Sequence, residues 1–403
     1  MKNHSSDLNR SVLYFFIYWP LGTICPMIGQ YLSSIGFSGT QVGIITSLGT
    51  GTAIVAGFFW GKIYSGVTKK RCVLMVMCLL AAFFGFLNTA TTDFAIYAVI
   101  YSCMYFFQGP AHGIADALVL SKSNNYPIIR GAGAAGYAVA SFVVGKYAQD
   151  RGLETIFYLY AAAFVIAAFL VMRESEPLSE RQEESIKMKD LFKNMVFVRL
   201  LICAFFMTGT SIAHNTYFGY LFRQEGGSVE GIGTAFFLMA GSEAIVMAAA
   251  SRFSKKIGTE KMLLFASIVL VARFAFYATG PSYKLLLGSF FLQGLSGGII
   301  LMEIVKYFNK IVEPRMTGMA ISIYYALGNN FSVIVASLLG GIILDIAGPQ
   351  GGGNGPSAGP AHADTEPHAG KVTGRLLQQL PDGIRLMGVM PLIAGEKKIV
   401  NDN

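Results

Sequence analysis

Charged residues are scarce in this sequence. Only 13% of its 403 residues are charged, about half of the ~25% that is usual in soluble globular domains. Hydrophobic residues make up 53% of the chain, and the mean hydropathy is +0.52. This lack of charge excludes a water-soluble globular enzyme and a disordered, highly charged chain.

The sequence also lacks the short motifs of metal-dependent hydrolysis and of ATP-driven chemistry. Neither GxxxxGK(S/T) nor HExxH occurs, and the five cysteines have no metal-ligand spacing. A formal GxGxxG at 131–136 lies where a turn leads into an apolar segment, so close helix packing explains its small residues. We expect no enzymatic activity, no bound metal and no cofactor. His112 and Asp116 are the one weak pair that would suit a membrane-embedded enzyme.

Long apolar runs recur along the whole chain. Each of them is about 20 residues long, which is enough to cross a bilayer as a helix. Together they predict an all-α polytopic membrane protein with eleven clear spans. The predicted spans cover residues 11–34, 38–61, 72–90, 94–118, 130–148, 155–172, 194–221, 231–250, 261–279, 284–308 and 316–346.

The two halves of the chain resemble each other weakly. A shift of 190 residues pairs Gly43 with Gly233 and Gly51 with Gly241. Because six spans precede a polar stretch and more spans follow it, the pattern predicts two pseudo-symmetric six-helix bundles. The predicted boundaries are 1–172 for the first bundle, 173–193 for a cytoplasmic linker and 194–347 for a second bundle with five clear helices.

The segment 348–403 differs from the rest of the chain. It begins with a stretch rich in glycine and proline, and no aromatic residue follows Phe331. Its apolar run at 386–394 is too short to span a membrane. The twelfth span is therefore expected to be absent or replaced. We favour a reading frame that departs from the ancestral sequence near Gly351, and a genuine flexible extension is the alternative.

Lysine and arginine are distributed unevenly between the connections. The N-terminus and every second connection carry 20 of them, against four in the intervening connections. This asymmetry predicts a cytoplasmic N-terminus and a multi-pass protein of the cell inner membrane. The net charge of +8 thus reflects orientation in a lipid bilayer, and neither a nucleic-acid partner nor an oligomer is expected.

Few polar side chains lie at the predicted membrane depth. Ionisable groups there cost a few kcal/mol on insertion scales, so they commonly mark a pathway or a paired site. His112 and Asp116 share a helical face, and Arg130 has a carboxylate of the preceding helix as its natural partner. The further candidates are His214, Glu243, Arg273, Glu303 and Asn329.

Structural roles compete with these functional ones. Glu243 and Arg273 lie on consecutive spans and could form an interhelical salt bridge. Glu303 could simply pair with Lys306, three residues further on. The histidines could be ordinary hydrogen-bond partners between helices.

Several short motifs resemble the lactose permease and phenylpropionate permease branch of the major facilitator superfamily. The residues Tyr31-Leu32, Gly36-Phe37-Ser38 and Gln41-Val42-Gly43 resemble its first-loop motif. Residues 114–118 with Arg130, 214–217 and 242–245 also resemble it. The similarity covers roughly residues 11–350. It implies the major facilitator fold and proton-coupled transport by alternating access.

The resemblance also implies roles for single residues. Asp116 matches an acidic sugar-binding residue, Arg130 its essential arginine partner, and Tyr137 a tryptophan that stacks on the sugar ring. Arg273 matches an arginine linked to proton coupling. Glu243 matches an acidic residue of the same span in the phenylpropionate-permease-like members.

The chain departs from the branch at two places. Gln293 and Ser296 stand where lactose permease has a histidine and a glutamate for proton coupling. In the superfamily's gating-loop motif, Ser65 stands in place of an aspartate, which puts the usual gating salt bridge in doubt. The residues that match this loop motif are Gly61, Lys69, Lys70 and Arg71.

These observations predict a proton-coupled importer of a small polar solute, either a sugar or glycoside or a nucleoside. Uptake of an aromatic acid, efflux of drugs and a non-transporting membrane sensor remain alternatives. The expected substrate-binding residues are Asp116, Arg130, Tyr137, His112, His214 and Asn329. The expected proton-coupling residues are Glu243, Arg273 and Glu303.

Overall fold

The computed structural model describes residues 2–120, 125–174, 189–313 and 316–347. The tail 348–403 and most of the predicted linker lie outside the described residues. Every regular element in the described chain is helical. The helices are α1 (Lys2–Ser34), α2 (Gly39–Gly66), α3 (Lys70–Leu87), α4 (Phe94–Leu120), α5 (Tyr126–Arg151), α6 (Thr155–Met172), α7 (Lys189–Phe192), α8 (Met195–Gln224), α9 (Val229–Ile257), α10 (Thr259–Tyr277), α11 (Tyr283–Ile311), α12 (Thr317–Ile323), a π-helical segment (Tyr324–Phe331) and α13 (Ser332–Ala347).

The predicted all-α polytopic fold is confirmed. Within the described residues, nine helices are long and apolar enough to cross a membrane. Helices α4 and α10 have 27 and 19 residues and bring the number of spans to eleven. Helix α10 differs from the nine because it carries three charged residues, Glu260, Lys261 and Arg273. Large apolar side chains such as Phe58 and Phe169 are 79% and 64% exposed, as expected of a surface that faces lipid.

Two connections repeat the same local geometry 190 residues apart. Ser38 caps α2 in a reciprocal capping box with Gln41, and Ser228 caps α9. Before each cap, a glycine adopts a left-handed conformation, Gly36 with φ 94° and Gly226 with φ 84°. The weak sequence repeat therefore corresponds to two equivalent helix–turn–helix units.

The helices form two groups, α1–α6 and α8–α13. In the first group α1 packs on α5 and α6, and α3 packs on α4 and α6. In the second, α11 packs on α9 and α10, while α13 packs on α8. These contacts agree with a two-bundle arrangement. The residue boundaries of the bundles stay a prediction.

The two groups meet through α2 with α13 and through α5 with α9. One pair of glycines of the sequence repeat, Gly43 and Gly233, lies at these crossings. A Cβ on Gly43 would stand 2.5 Å from the carbonyl oxygen of Ser337, and one on Gly233 would collide with the carbonyl oxygen of Ser141. Each glycine thus permits helices of opposite halves to approach closely.

Hydrogen bonds join the halves at one end of the molecule. We call this end, which lies opposite the N-terminus, the far end. The end at which the N-terminus lies is the near end. The carboxylate of Asp345, at the end of α13, accepts bonds from the backbone amides of Gly39 (2.6 Å) and Thr40 (2.8 Å). The amide oxygen of Gln149 accepts a bond from the backbone of Val229 (2.9 Å). The first amides of α2 and α9 are thus each satisfied by a side chain of the opposite half.

The eleventh span is not a regular α-helix. Residues Tyr324–Phe331 form a π-helical segment between α12 and α13, so the polar pair Asn329 and Asn330 interrupts the span as its sequence indicates. Such segments are rare and occur frequently at functional sites.

Candidate functional site

Asp116 of α4 lies against a group of tyrosines. The hydroxyl of Tyr14, a fully buried residue of α1, donates a hydrogen bond of 2.7 Å to the Asp116 carboxylate. Tyr126, at the start of α5, also interacts with this carboxylate. Three helices of the first half therefore converge on one acidic group. A bond to a charged acceptor is stronger than one between neutral groups, so Tyr14 fixes the position of the carboxylate.

Arg130 and His112 lie against the ring of Tyr18. The Arg130 guanidinium stands 4.1 Å from the ring centroid, and the His112 ring lies at 4.7 Å. The attraction between the cation and the aromatic face holds Arg130 without a carboxylate. Among the described residues, Nε2 of His112 has no hydrogen-bond partner.

The expected direct pairing of Arg130 with Asp116 is not formed. No ion pair of 4.0 Å or less joins them, although both lie in the described part of the chain. The physical reason is that Tyr14 and Tyr18 contact the two charged groups instead. Both groups therefore retain hydrogen-bonding capacity for a solute.

Glu243 does not form the salt bridge with Arg273 that their consecutive spans suggested. Helices α9 and α10 both pack on α11 and contact each other only slightly. The charge of Glu243 acts on Arg130 and Tyr137 of the opposite half. No ion pair of 4.0 Å or less joins Glu243 to Arg130 in the described part of the chain, so the two groups interact through their charges and not through a direct contact.

Arg273 is enclosed by aromatic rings. Its side chain is 1% exposed, and its guanidinium lies 4.9 Å from the ring of Tyr277 and 5.1 Å from that of Phe290. His214 stacks on Tyr277 with a centroid separation of 5.1 Å. None of the nitrogens of Arg273 or His214 has a hydrogen-bond partner of ordinary geometry in the described residues. Cation–π attraction therefore holds this buried cation.

The two residues that replace the histidine and glutamate of lactose permease are buried and neutral. The amide nitrogen of Gln293 donates a bond of 2.7 Å to the amide oxygen of Asn215 on α8. Ser296 bonds to backbone oxygens of its own helix. An uncharged link between α8 and α11 thus stands where the resemblance implies charged groups.

Glu303 has a complete set of structural partners. It is 0% exposed, accepts a bond from Lys306 at 2.7 Å and another from the Ser254 hydroxyl at 2.7 Å. These contacts tie the near end of α11 to α9. The geometry therefore favours a structural ion pair between Glu303 and Lys306. The role of Glu303 in proton coupling stays a prediction.

The gating-loop residues contact their own half of the protein. Lys70 lies 5.0 Å from the ring of Tyr64. Arg71 donates a bond of 3.0 Å to the backbone oxygen of Glu174, whose carboxylate pairs with Arg10 at 3.3 Å. These contacts join α1, α3 and the end of α6. The two remaining loop residues, Gly61 and Lys69, are exposed.

Tyr325, in the π-helical segment of the second half, was not among the site residues expected from the sequence. Its hydroxyl interacts with both Asp116 and Arg130 across the two halves, and the residue is 42% exposed. Asn329 bonds to its neighbour Asn330 at 3.4 Å, and its role in substrate binding stays a prediction. A π-helical turn changes which side chains share a face, so regular helical spacing does not predict that Tyr325 lies near the charges of the first half.

Tyr14 and Tyr18 were also missed, although the sequence carries a signal for them. They stand four residues apart on α1 and therefore share one helical face. Two tyrosines on one face of a membrane helix, opposite intramembrane charges, indicate a polar lining. The tyrosine-rich group around Asp116 and Arg130 is thus built by α1, α4 and α5 of the first half. Charged and polar side chains of the second half, Glu243 and Tyr325, act on it electrostatically.

Comparison with known proteins establishes the family. The sequence profile of the MFS_1 like family matches residues 8–351, and the chain belongs to this family of the major facilitator superfamily. It is 29% identical over 345 residues to the maltose permease of Geobacillus stearothermophilus, an alignment that covers 83% of this chain and 86% of the permease. It is 21% identical over 361 residues to the sucrose permease of Escherichia coli, with 83% and 86% covered.

A solved structure shares the fold. The crystal structure of the nucleoside transporter NupG aligns with a TM-score of 0.81 and 16% sequence identity, covering 96% of this chain and 98% of that chain. The chain is therefore a multi-pass membrane transporter of the major facilitator fold.

Proposed function

We propose that this chain is a proton-coupled importer of a sugar or glycoside in the cell inner membrane, with its N-terminus in the cytoplasm. The observation that carries the proposal is the group between the halves, in which Asp116 and Arg130 are held by tyrosines and remain available to a solute. Glu243 faces the same group from the second half.

A carbohydrate suits this group chemically. Its hydroxyls can donate to Asp116 and accept from Arg130, and its apolar ring face can lie on the ring of Tyr137. The names of the maltose and sucrose permeases support a saccharide. A nucleoside is the second candidate, because it offers sugar hydroxyls together with a base that stacks on aromatic rings.

The contacts between the halves suggest how transport proceeds. Hydrogen bonds from Asp345 and Gln149 close the far end, which the charge distribution assigns to the outside. Alternating access then requires these bonds to break as the halves rock around the central site. The state described here is accordingly closed to the outside.

Proton coupling is assigned to Glu243. A carboxyl group in a medium of low dielectric holds its proton more readily than one in water. Protonation would weaken the attraction between Glu243 and Arg130 and leave the guanidinium available to the solute. The coupling partner is thus Arg130 and not Arg273, which is enclosed by aromatic rings.

The test is solute counterflow in proteoliposomes, with maltose, sucrose, a nucleoside and an aromatic acid as probes. We expect exchange of a saccharide by the wild-type chain and its loss in Asp116→Asn, which removes the charged acceptor. The matched control is Asp150→Asn, an exposed aspartate at the far end of α5, which should leave exchange unchanged. Retained exchange in Asp116→Asn would overturn the site assignment.

A further inference from the structure

An apolar groove lies between α9 and α10, away from the central site. Its cavity has a volume of about 330 Å³. The lining side chains come from α9, α10 and the underlying α11, and include Val246, Phe253, Ile257, Met262, Phe265 and Ile299.

Close packing of α9 on α11 accounts for the groove. A Cβ on Gly294 would collide with Ser242 and Met239, and one on Gly298 would stand 3.0 Å from the carbonyl oxygen of Glu243. These glycines draw α9 onto α11. Helix α10 also packs on α11, while α9 and α10 touch each other only slightly. A furrow therefore remains between α9 and α10.

The groove opens toward the lipid-facing surface near the end at which the N-terminus lies. Phe253 and Phe265 are 53% and 49% exposed, so hydrocarbon is the medium that would contact them. At this end the last residues of α9 and the first residues of α10 are basic in sequence, with four lysine or arginine residues in 251–261.

Lys261 is the charged member of the lining. The neighbouring Glu260 is already paired with Lys310 of α11. Within the part of the chain that the structure describes, Lys261 itself forms no ion pair. The groove thus combines apolar walls with an exposed cation beside them.

We propose that this groove binds an anionic phospholipid of the leaflet at the near end. One acyl chain lies along the apolar walls, and the phosphate of the headgroup contacts the Lys261 ammonium. The groove suits both parts of such a lipid. Its walls bury the hydrocarbon of the acyl chain, and a lysine near an anionic membrane surface attracts the headgroup. The proposal is independent of the solute that the central site transports.

Native mass spectrometry of the purified full chain tests the proposal. The probes are phosphatidylglycerol and phosphatidylcholine with identical acyl chains. We expect one phosphatidylglycerol to be retained preferentially, with binding weakened roughly five-fold in Lys261→Gln, the effect of one lysine near an anionic membrane surface. Leu295 of α11 also lines the cavity. Leu295→Trp, which fills it, should reduce retention of both lipids.

Lys284→Gln is the matched control, since Lys284 is an exposed lysine at the opposite end of α11. It should bind phosphatidylglycerol like the wild type. Equal retention by the wild type, Lys261→Gln and Leu295→Trp would overturn the proposal and identify the lipids as a nonspecific annulus. Equal retention of the two lipids by the wild type would overturn the role of Lys261.

Discussion

Tyrosine side chains organise the charged residues of the candidate site. Asp116 is held by Tyr14, and Arg130 lies on the ring of Tyr18. Because these neutral groups replace a direct ion pair, the Asp116 carboxylate and the Arg130 guanidinium can each form hydrogen bonds with a solute. A direct pair would have to be broken before each binding event, at the expense of affinity.

Tyr14→Phe tests the positioning of Asp116. We expect the affinity for the transported solute to fall about 10- to 100-fold, since a hydrogen bond to a charged group contributes ~1.5–3 kcal/mol. The measurement is the concentration dependence of counterflow. The control is Tyr97→Phe, because Tyr97 is equally buried and its hydroxyl has no hydrogen-bond partner in the described residues. Equal effects of the two variants would refute the positioning role.

The sequence singles out acidic and basic residues as candidates for the site, but it does not show which side chains contact them. Asp116, Arg130 and Glu243 stand out because ionisable groups are rare at membrane depth. Their pairing depends on which helices pack together. Consecutive spans suggested that Glu243 contacts Arg273, but α9 and α10 pack mainly on α11 and only slightly on each other, and the charge of Glu243 acts on Arg130 instead.

The membrane-spanning helices could be predicted from the sequence. Apolar runs of about 20 residues are a strong signal, and all eleven predicted spans correspond to helices. The π-helical segment of the eleventh span was not predictable in its geometry, because only the polar pair Asn329 and Asn330 marks it in the sequence. The 190-residue repeat proved informative, since Gly43 and Gly233 lie at equivalent crossings between the halves.

Gly43→Ala tests the close crossing of α2 and α13. The new Cβ would stand 2.5 Å from the Ser337 oxygen, and overpacking of this kind costs about 1–3 kcal/mol. We expect a lower melting temperature and slower transport. Gly51→Ala is the matched control, because its Cβ would meet only Ile334, at 3.8 Å, and alanine favours the helix. A melting temperature that falls equally in both variants would contradict the role of the crossing.

Asp345→Ala tests the hydrogen bonds that close the far end. The backbone amides of Gly39 and Thr40 lose a charged acceptor, so their hydrogen exchange should become at least about ten-fold faster. Exchange measured by mass spectrometry over the start of α2 gives the readout. Asp150→Ala, at the same end, should leave it unchanged. Unchanged exchange in Asp345→Ala would show that these bonds do not keep the far end closed.

The whole molecule joins two helical halves around one polar group. Contacts at the far end hold the halves together, and the charge of Glu243 in the second half acts on Arg130 in the first. This arrangement lets a change at the central site alter the equilibrium between states of the entire protein, provided that proton and solute bind the states unequally. Glu243 and Arg130, which lie on opposite halves, are the pair through which that coupling is expected.

Coupled transport is tested by the pH change that a solute causes in oriented membrane vesicles. Addition of the saccharide identified by counterflow should make the medium more alkaline with the wild-type chain and with Glu303→Gln, whose carboxylate has structural partners. Glu243→Gln should abolish the pH change and retain counterflow. A pH change that persists in Glu243→Gln, or that disappears only in Glu303→Gln, would contradict the account.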